Sequence, residues 1–438
     1  MESKPKASPQ HSETTGQESS SSWAEGLPLE ARYRVVILGG GIHGVGIAHD
    51  LASRGWKDVL VVEKSIIGSG TSSKSTKLIH GGLRYLQHPR DFALVAEGLE
   101  ERALLATLAP DIVKALPFIF PVMKKGGMPR FMIKIGLWLY DTLSHGRSMG
   151  KHVWLSPDEA LKEAPILDKT VFKGFYKFFD GQTDDLALVR RVAKSAKQLG
   201  ATIVERTKAE SIKHGANGWN IELRSGEKTK TVTSKYVVNA MGPWAHEIFK
   251  ASNIEPKVEG INNQGTHLLV RDLGLSTGLF LQSPADGRIF FVLPWEGYTL
   301  IGTTEDNYTG APDDCTAQPE QIEYLINRCN QFLSVKLTQK DVIKTFSGMR
   351  WLAKDPHSGL SATSRSHLIT RHERGSDLLF TIYGGKMTAY RALAKEIGSA
   401  IAKAFGDTSP SKTNEPVMWA TGDLMPLELM VPQRFSNV

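Results

Sequence analysis

The sequence predicts an α/β protein in which a Rossmann-like, dinucleotide-binding domain is interrupted by a second domain with a mixed sheet. The first observation is the stretch "RVVILGGGIHGVGIAHDLASRGWKDVLVVEK", residues 34–64, which has the pattern of a strand, a glycine turn, a helix and a second strand. The second is another glycine turn, Gly384-Gly385, which a helical pattern follows near the other end of the chain. Two helix starts so far apart in sequence can converge on one extended cofactor, so we expect the nucleotide-binding domain to be discontinuous.

Three glycines of the first turn occupy the positions of a dinucleotide-binding motif. Gly39, Gly41 and Gly44 fill the pattern G-x-G-x-x-G. The first glycine permits the tight turn, the second lets pyrophosphate approach the backbone, and the third lets helix and strand pack closely. Glu63 ends the second strand, where an acid can bind the hydroxyl groups of an adenosine ribose. A glycine turn without a ligand is the alternative, but the complete strand–helix–strand unit favours a dinucleotide site.

The remaining patterns divide the chain into alternating parts of two domains. Residues 1–30 are rich in Ser, Glu, Gln and Pro and are predicted to be a disordered leader. The division that we predict is residues 31–108, 184–258 and 342–406 for the nucleotide-binding domain, residues 109–183 and 259–341 for a substrate domain, and residues 407–438 for an irregular tail. Within these parts we expect helices over 91–108, 183–199 and 319–332, a strand over 201–214, and a hairpin that turns at Ser225-Gly226.

The composition argues against several other classes of protein. No run of about 18 uncharged apolar residues occurs, so we expect no segment to span a bilayer. Cys315 and Cys329 form no C-x-x-C pair, which favours a reducing compartment and predicts neither a disulfide nor a metal site. The formal net charge of +7 would suit an anionic substrate or an acidic membrane face, although a mild excess of lysine is also common. We expect no nucleic-acid partner.

One apolar stretch, "FMIKIGLWLY" from Phe131 to Tyr140, has two interpretations. It is short and contains Lys134, which favours a helix in a core or on a domain surface. A helix that lies in the plane of a membrane is the other interpretation. The stretch is flanked by basic residues, which are Lys124, Lys125, Arg130, Arg147 and Lys151.

Several further motifs together resemble one family. They are, in order, "SSKSTKLIHGGLRYL", "VVNAMGPWA", "FVLPWEGYTLIGTTE", "SGMRWLAKD" and "YGGKMTAYR". With the first turn, they resemble the FAD-dependent glycerol-3-phosphate dehydrogenases, the membrane-associated, quinone-linked branch of the D-amino-acid-oxidase-like flavoproteins. The resemblance covers about residues 31–406, and "KLIHGGLRYL" and "LPWEGYTLIGTTE" are its most specific parts.

The resemblance implies a cofactor, a reaction and a location. The cofactor is FAD, and the reaction is the oxidation of sn-glycerol 3-phosphate at C2 to dihydroxyacetone phosphate, with electrons passed to a membrane quinone. The implied protein is peripheral, at an anionic membrane surface on the cytoplasmic face of the inner membrane, and a cytoplasmic protein is the alternative. The short tail departs from the family, whose members usually continue into a helical cap. The oligomeric state therefore stays open, and a homodimer is one alternative.

The resemblance also assigns residues to the substrate. The cations that it places against the substrate are Arg84, Arg350, Arg365 and Lys386, each in or near a motif. Phosphate favours arginine because a guanidinium donates two parallel hydrogen bonds. His267 is the expected base, because histidine titrates near neutral pH and can accept the proton of the alcohol. Arg350 with a neighbouring water is another way to handle that proton, and a purely structural histidine is the alternative.

Other residues are expected around the flavin end of the cofactor. His80 is expected to pack against it, and Gly82 would let the backbone approach the isoalloxazine closely, where a Cβ would clash. The second glycine turn would direct backbone N–H groups and the positive end of a helix at the flavin, which stabilises its anionic reduced form. The residues of this turn are Gly384, Gly385, Lys386, Met387 and Thr388.

The rest of the cofactor is expected to contact three short segments. The hydroxyl groups of Thr71, Ser72 and Ser73 suit contacts with pyrophosphate and ribityl, although a solvated serine loop is the alternative. By resemblance, Ala209 would contact adenine through its backbone. Gly242 could allow close approach of the pyrophosphate.

Two further functions stay open at this point. An oxidase of the same fold would pass electrons to dioxygen, with the same substrate or with an amine or amino acid. An amine would not require so many cations. A flavin-free binding or regulatory protein on an enzyme scaffold is the other alternative, and the intact glycine turn, with Glu63 in register, argues against it.

Overall fold

Two β-sheets with helices packed on them form the computed structural model, which describes residues 29–125, 127–353 and 367–422. The helices in these ranges are α1 (Ile42–Ser53), α2 (Phe92–Leu108), α3 (Arg130–Leu143), α4 (Pro157–Glu163), α5 (Asp185–Gln198), α6 (Ala245–Ser252), α7 (Pro319–Cys329) and α8 (Tyr390–Ala404). The strands in the same ranges are β1 (Arg32–Leu38), β2 (Val59–Val62), β3 (Leu78–Ile79), β4 (Val113–Met123), β5 (Val153–Leu155), β6 (Phe172–Thr183), β7 (Thr202–Val204), β8 (Lys208–Gly215), β9 (Gly218–Ser225), β10 (Lys228–Asn239), β11 (Gly260–Arg271), β12 (Gly278–Gln282), β13 (Ile289–Trp295), β14 (Tyr298–Gly302), β15 (Asp306–Tyr308), β16 (Val342–Ala353), β17 (Leu368–Arg374) and β18 (Asp377–Tyr383).

The first sheet has a parallel centre with the strand order β18-β10-β1-β2-β7. The central strands are buried on both faces of the sheet. Successive side chains of β1 point to opposite faces, so they pack in two different layers. Val35 and Ile37 pack with α1, α5 and α8 on one face, and Val36 and Leu38 pack with α6 and the β8–β9 hairpin on the other. This is the layered α/β arrangement that the first glycine turn predicts.

The second sheet is mainly antiparallel, with the strand order β15-β11-β14-β13-β12-β4-β6-β3. Strand β16 pairs with the other edge of β11, and β12 pairs parallel with β4. Helices α4 and α7 share an apolar cluster with one face of the sheet. Residues of α2 and α3 share an aromatic-rich cluster with the other face. The mixed α/β fold with a second, mixed sheet is therefore confirmed.

The fold differs from the sequence-based expectations at two places. The strand expected over 201–214 is two strands, because its first part, β7, pairs with β2, whereas its second part, β8, pairs with β9. Arg206 lies between them with φ +50°, and the side chain of Glu205 accepts a hydrogen bond from the backbone of Ile67 (2.6 Å). The helix expected to reach residue 332 ends at Cys329, where the Asn330 side chain donates to the Leu337 carbonyl oxygen (2.8 Å).

The segment 342–406 contributes to both sheets. Strand β16 lies in the second sheet, whereas β17 and β18 lie in the first. The proposed division into domains stays a prediction. The described part of the tail, residues 407–422, packs against the helical layer of the first sheet: the buried Trp419 meets the His49 ring edge-on, and the Ala420 backbone donates to Ser195 (2.8 Å).

Helix α3 contains the apolar stretch and packs on the protein with one face, so the interpretation as a surface helix is confirmed, whereas contact with a membrane stays a prediction. Ile133, Leu137 and Tyr140 are buried against the second sheet, while the opposite face is in solvent. The exposed apolar side chains on that face are Phe131 (64% exposed), Met132 (49%), Ile135 (52%) and Trp138 (56%). In the described ranges, no helix is long and apolar enough to cross a bilayer.

Candidate active site

Residues of both sheets line one cavity of about 640 Å³, and most of the predicted site residues lie on its wall. The predicted residues that line it are Gly39, Gly41, Glu63, Thr71, Ser72, His80, Gly82, Arg84, Ala209, Gly242, His267, Arg350, Gly384, Gly385, Lys386, Met387 and Thr388. Gly44 and Ser73 are not on the wall. Arg365 lies outside the described residues. Segments that are far apart in the sequence thus meet at one place.

The first glycine turn has the geometry that its motif predicts. Gly39 has φ +101°, a conformation that favours glycine. A Cβ on Gly44 would lie 1.9 Å from the carbonyl oxygen of Gly39, so Gly44 allows α1 to pack directly on the turn. A Cβ on Gly41 would have only the Ser72 hydroxyl oxygen (3.2 Å) within 4 Å among the described residues. Gly41 therefore leaves free space at the start of α1, on the cavity side.

Glu63 stabilises the turn and also lines the cavity. Its carboxylate accepts hydrogen bonds from the backbone N–H groups of Gly40 and Ser65, both at 2.8 Å. Burial raises the pKa of this carboxyl, against the effect of the two hydrogen bonds. Part of the role of Glu63 is thus structural, and the residue also lies on the cavity wall.

The hydroxyl groups of the loop after β2 bond to the protein itself. Ser72 Oγ accepts from the backbone N–H of Ile42 (3.0 Å), at the start of α1. Thr71 donates to the Met349 carbonyl oxygen (2.8 Å). The Ser73 hydroxyl contacts the carbonyl oxygens of Ser69 and Gly70, both at 3.2 Å, and is turned into its own loop. A structural role therefore accounts for Ser73. Of the three residues, only Thr71 and Ser72 lie on the cavity wall.

The two glycine turns meet beside the loop that contains His80. The His80 backbone N–H donates to the Thr388 hydroxyl (3.1 Å), which joins this loop to the second turn. A Cβ on Gly385 would lie 2.6 Å from the ring of His43 in α1. A helical turn over Lys386–Ala389 then leads into α8. The convergence of two helix starts, expected from the sequence, is present.

Three buried residues behind the His80 loop form a network that no sequence motif indicates. The Tyr140 hydroxyl accepts from the Gly81 backbone N–H (2.8 Å) and donates to Asp180 (2.7 Å), and Asp180 also accepts from Arg102 (2.8 Å). Burial raises the pKa of Tyr140 well above its ordinary value, so the phenol keeps its proton. A local sequence motif cannot indicate this network, because its members lie far apart in the sequence, in α2, α3 and β6.

A cluster of cations lies near the His80 loop and the second glycine turn. Arg84, Arg350 and Lys386 all line the wall, and the Lys386 ammonium stands 3.9 Å from the centre of the Tyr85 ring. Burial, followed by the charge of Arg84, lowers the pKa of Lys386 to about 8. The carboxylate of Glu305 lies between the arginines, 3.6 Å from Arg84 and 3.5 Å from Arg350. Glu305 was not singled out from the sequence, although it ends the specific motif "LPWEGYTLIGTTE".

His267 lies on β11, buried in the wall of the cavity. Its Nε2 is 2.9 Å from the Thr76 hydroxyl, and its ring stacks on Phe346 with 4.9 Å between centres. Burial, followed by the charge of Arg350, lowers its pKa to about 3, so the imidazole is neutral at pH 7. A neutral ring can accept a proton, but a base with so low a pKa is a weak one.

Two glycines make room for the side chains of this end. A Cβ on Gly302 would lie 2.2 Å from Cδ2 of His267, and a Cβ on Gly265 would lie 2.6 Å from a guanidinium nitrogen of Arg350. Both glycines lie in strands of the second sheet, where glycine is unfavourable unless close approach requires it. That unfavourable placement is the sequence signal that could have identified them.

The cavity fits FAD. Its volume is within the range of ligand and cofactor sites. The free space at Gly41 admits a phosphate to the start of α1, where backbone N–H groups and the helix dipole attract an anion. Glu63 and the backbone near Ala209 would hold the adenosine end, and the His80 loop and the second glycine turn would hold the flavin end.

Comparisons with known proteins agree with this fit. A family model described as DAO, FAD dependent oxidoreductase, matches residues 34–391. The D-erythritol 1-phosphate dehydrogenase of Brucella abortus is 36% identical over 365 residues, which are 82% of this chain and 71% of the relative. The aerobic glycerol-3-phosphate dehydrogenase of Escherichia coli is 34% identical over 391 residues, which are 88% of this chain and 76% of the relative.

Solved structures share the architecture. The glycerol-3-phosphate dehydrogenase from Bacillus halodurans complexed with FAD superposes with a TM-score of 0.70 and 26% identity, over 88% of this chain and 67% of that chain. The glycine oxidase from Geobacillus kaustophilus, with a TM-score of 0.65 and 22% identity over 85% of this chain and 95% of that chain, shares the fold. The chain therefore belongs to the FAD dependent oxidoreductase (DAO) family, and its cofactor is FAD.

Proposed function

We propose that the chain is a dehydrogenase of a phosphorylated polyol, with sn-glycerol 3-phosphate as substrate and dihydroxyacetone phosphate as product. The observation that carries the proposal is the convergence of Arg84, Arg350 and Lys386 on the cavity that both glycine turns line. Three cations in a partly enclosed site suit a phosphate dianion better than an amino acid, which has one negative charge and one positive charge. The relatives from B. abortus and E. coli are named for D-erythritol 1-phosphate and glycerol 3-phosphate, which supports this substrate class.

In this proposal the chain binds the phosphate and receives a proton. FAD, when bound, accepts the hydride from C2 of the substrate. Arg84, Arg350 and Lys386 hold the phosphate, and Arg365 is a fourth candidate. His267 accepts the proton of the C2 hydroxyl, because its ring is neutral and lies in the cavity wall. Lys386 is the second candidate for this step, since a pKa of about 8 is better matched to neutral pH. Arg350 with a water is the third.

A substrate screen with a soluble artificial electron acceptor tests the proposal. We expect turnover of glycerol 3-phosphate, and a kcat/KM for glycerol that is lower by about 100-fold or more, because the cations then have no partner. D-erythritol 1-phosphate is the second candidate, because the relative named for it is 36% identical. Glycine tests the amino-acid alternative, and an oxygen electrode run in parallel tests the oxidase alternative. Equal turnover of glycerol and glycerol 3-phosphate would contradict the proposal.

The binding of the phosphate can be tested with one variant. Arg350→Ala should lose about 2–4 kcal/mol of transition-state stabilisation, measured from kcat/KM, as when one partner of a buried charge pair is truncated. We expect the loss with glycerol 3-phosphate and little change with glycerol. A similar loss with both compounds would assign Arg350 to the alcohol and not to the phosphate.

We also propose that a membrane quinone accepts the electrons, and that the protein works as a peripheral protein on the cytoplasmic face of the inner membrane. A quinone dissolves in lipid, so the protein must reach the bilayer surface. The solvent-facing side of α3, with Phe131, Met132, Ile135 and Trp138, is the surface that we assign to this contact. Exposed basic residues lie in α3 or close to it in the sequence, and they are Lys124, Lys125, Arg130, Lys134 and Lys151.

Flotation with vesicles tests the membrane contact. Each basic residue near an anionic leaflet contributes about 1 kcal/mol, and salt weakens this part, whereas apolar insertion resists salt. The protein should float with anionic vesicles at low salt, and partly at high salt. The double variant Phe131→Ser, Trp138→Ser should lose the salt-resistant part. Val417→Ser, at an exposed apolar residue far along the chain (79% exposed), is the matched control. A protein that stays in the soluble fraction with anionic vesicles at low salt would contradict the proposal.

A further inference from the structure

We propose that Tyr85 is a positioning residue whose aromatic ring holds the ammonium of Lys386 in place, as a cation, for the substrate phosphate. The inference rests on the proposed function, because it assumes that the cluster of cations binds a phosphate. Its consequence is a division of roles at this end of the cavity. Lys386 binds the phosphate, and His267 stays the first candidate for the proton of the alcohol.

The first argument is the contact between the ammonium and the ring. Nζ of Lys386 lies 3.9 Å from the centre of the Tyr85 ring, well within the distance of about 6 Å at which an aromatic face attracts a cation. Both residues line the cavity. In the described ranges, Lys386 forms no ion pair with a carboxylate. The ring therefore supplies an attraction that no carboxylate of these ranges supplies at ion-pair distance.

The second argument is the backbone that brings the ring to this position. Gly82 has φ +86° and begins the short helical segment Leu83–Gln87, and its carbonyl oxygen accepts from the Tyr85 backbone N–H (2.9 Å). A Cβ on Gly82 would lie 2.4 Å from Cδ2 of the Tyr85 ring and 3.6 Å from Nζ of Lys386. The absence of a side chain at Gly82 thus lets the ring and the ammonium meet beside the turn.

The third argument is the charge around Lys386. Burial, followed by the positive charge of Arg84, lowers the pKa of Lys386 to about 8, and the charges of Glu97 and Asp91 act in the opposite direction. His80 on the same wall is neutral at pH 7, because burial lowers its pKa to about 3. A side chain with a pKa so close to neutral pH is a cation by a small margin, so the loss of one favourable contact would neutralise it.

An aromatic ring also suits a site that must receive an anion. A carboxylate beside the ammonium would neutralise it and repel a phosphate. The face of a ring attracts the cation through its quadrupole and adds no net charge. The contact with Tyr85 therefore favours the charged form of Lys386 and leaves its positive charge available to the substrate.

The test follows the binding of sulfate to the FAD-loaded enzyme, because sulfate resembles phosphate and does not titrate between pH 6 and 10. In the native protein, the dissociation constant of sulfate, measured by calorimetry, should rise above about pH 8 as Lys386 loses its proton. Tyr85→Leu removes the ring, and in this variant the rise should begin about one pH unit lower. KM for glycerol 3-phosphate at pH 7.5 should increase about threefold, with a smaller change in kcat.

Two further variants make the result specific. Tyr85→Phe keeps the ring and loses only the hydroxyl, so sulfate binding should depend on pH as it does in the native protein. The double variant Tyr85→Leu, Lys386→Arg stays charged and should show no rise up to pH 10, which assigns the rise to Lys386. FAD absorbance and thermal melts show whether each variant is folded, and Tyr85→Met replaces Tyr85→Leu if that variant does not fold.

Three results would overturn the inference. The first is a rise that begins at the same pH in Tyr85→Leu and in the native protein. The second is an equal shift in Tyr85→Phe, which would assign the effect to the hydroxyl. The third is sulfate binding by the native protein that does not change between pH 7 and 9, because Lys386 then does not hold the anion. Failure of the proposed function is separate, since it appears as equal turnover of glycerol and glycerol 3-phosphate by the native enzyme.

Discussion

Gly302 stands opposite His267 in the antiparallel pair of β11 and β14, and a Cβ on Gly302 would lie 2.2 Å from Cδ2 of the imidazole. The same ring is held on its other sides by Phe346 and by the Thr76 hydroxyl. The position of the proposed base thus depends on the absence of one carbon atom in the neighbouring strand.

The first prediction tests this dependence. Gly302→Ala should displace the ring of His267 and lower kcat with glycerol 3-phosphate about tenfold or more, because small displacements of a reacting group are costly. FAD content, measured by absorbance, should stay near that of the native protein. Gly136→Ala is the matched control, since a Cβ there meets nothing within 4 Å among the described residues. Full activity of Gly302→Ala would remove His267 from the list of candidate bases.

The second prediction separates the two roles of the first glycine turn. Gly41→Val should raise the dissociation constant of FAD about tenfold or more, because the added carbons fill the space that admits the pyrophosphate. The thermal stability of the flavin-free protein should change little, since only the Ser72 hydroxyl stands near. Gly44→Ala should instead lower that stability, because its Cβ would meet the Gly39 carbonyl oxygen at 1.9 Å. Fluorescence titration with FAD and thermal melts distinguish the two, and Gly41→Val protein that purifies with a full complement of FAD would refute the assignment.

The sequence predicted those parts of the site that depend on local chain geometry. Gly39, Gly44 and Glu63 could be placed because a tight turn and a strand end leave a pattern over a few neighbouring residues. Ser73 has the right chemistry but turns its hydroxyl into its own loop, and only the loop conformation decides which of three adjacent hydroxyl groups does so.

Contacts between distant segments could not be predicted in this way. Tyr140 comes within hydrogen-bond distance of Gly81 only because α3 packs on the second sheet. Glu305 follows β14 and reaches Arg350 on β16, because both strands pair with β11. Pairing between strands that are far apart in sequence depends on tertiary packing, which a single sequence does not specify through any local pattern.

The third prediction concerns the pH dependence of substrate binding. Burial and the charge of Arg84 lower the pKa of Lys386 to about 8, so the side chain is a cation below that pH and neutral above it. KM for glycerol 3-phosphate should therefore rise above pH 8, by up to about tenfold per pH unit. kcat should change less, since a bound phosphate favours the charged form.

Two variants at this position check the assignment. Lys386→Arg keeps its charge at alkaline pH and should abolish the rise in KM. Lys386→Met should raise KM at every pH, and its KM should show no further rise above pH 8. A rise in KM above pH 8 that persists in both variants would mean that another group titrates.

The last prediction concerns stability in acid, and it follows from four histidines, of which His49 and His267 are buried and His43 and His80 are partly buried in the cavity wall. Burial lowers the pKa of His43 and His49 to about 4, and that of His80 and His267 to about 3. In the unfolded chain these side chains titrate near pH 6.5, so below that pH the unfolded state binds more protons than the folded state. The stability that the neutral rings contribute is fully present above pH 6.5 and is lost as the pH falls towards 4. Each ring contributes a slope of up to about 1.4 kcal/mol per pH unit.

Buried carboxyl groups act in the opposite direction at the lower end of this range. Burial raises the pKa of Asp180 and Glu101, so these groups take up protons more readily in the folded state. We therefore expect the steepest loss of stability between pH 6.5 and about pH 5, before the carboxyl groups offset it. Thermal melts of the FAD-loaded protein across this range measure the slope.

His49→Gln identifies the contribution of one ring. His49 lies away from the cavity, where its Nε2 donates to the Met418 carbonyl oxygen (2.8 Å), and a glutamine can donate but does not titrate. Between pH 6.5 and 5, the slope of the free energy of unfolding against pH should be smaller in the variant than in the native protein. The difference should correspond to up to one bound proton. His88→Gln, at an exposed histidine, is the matched control. If His49→Gln and the native protein lose stability with the same slope, protonation of His49 does not contribute to acid unfolding, and the slope must come from the other three rings or from the carboxyl groups.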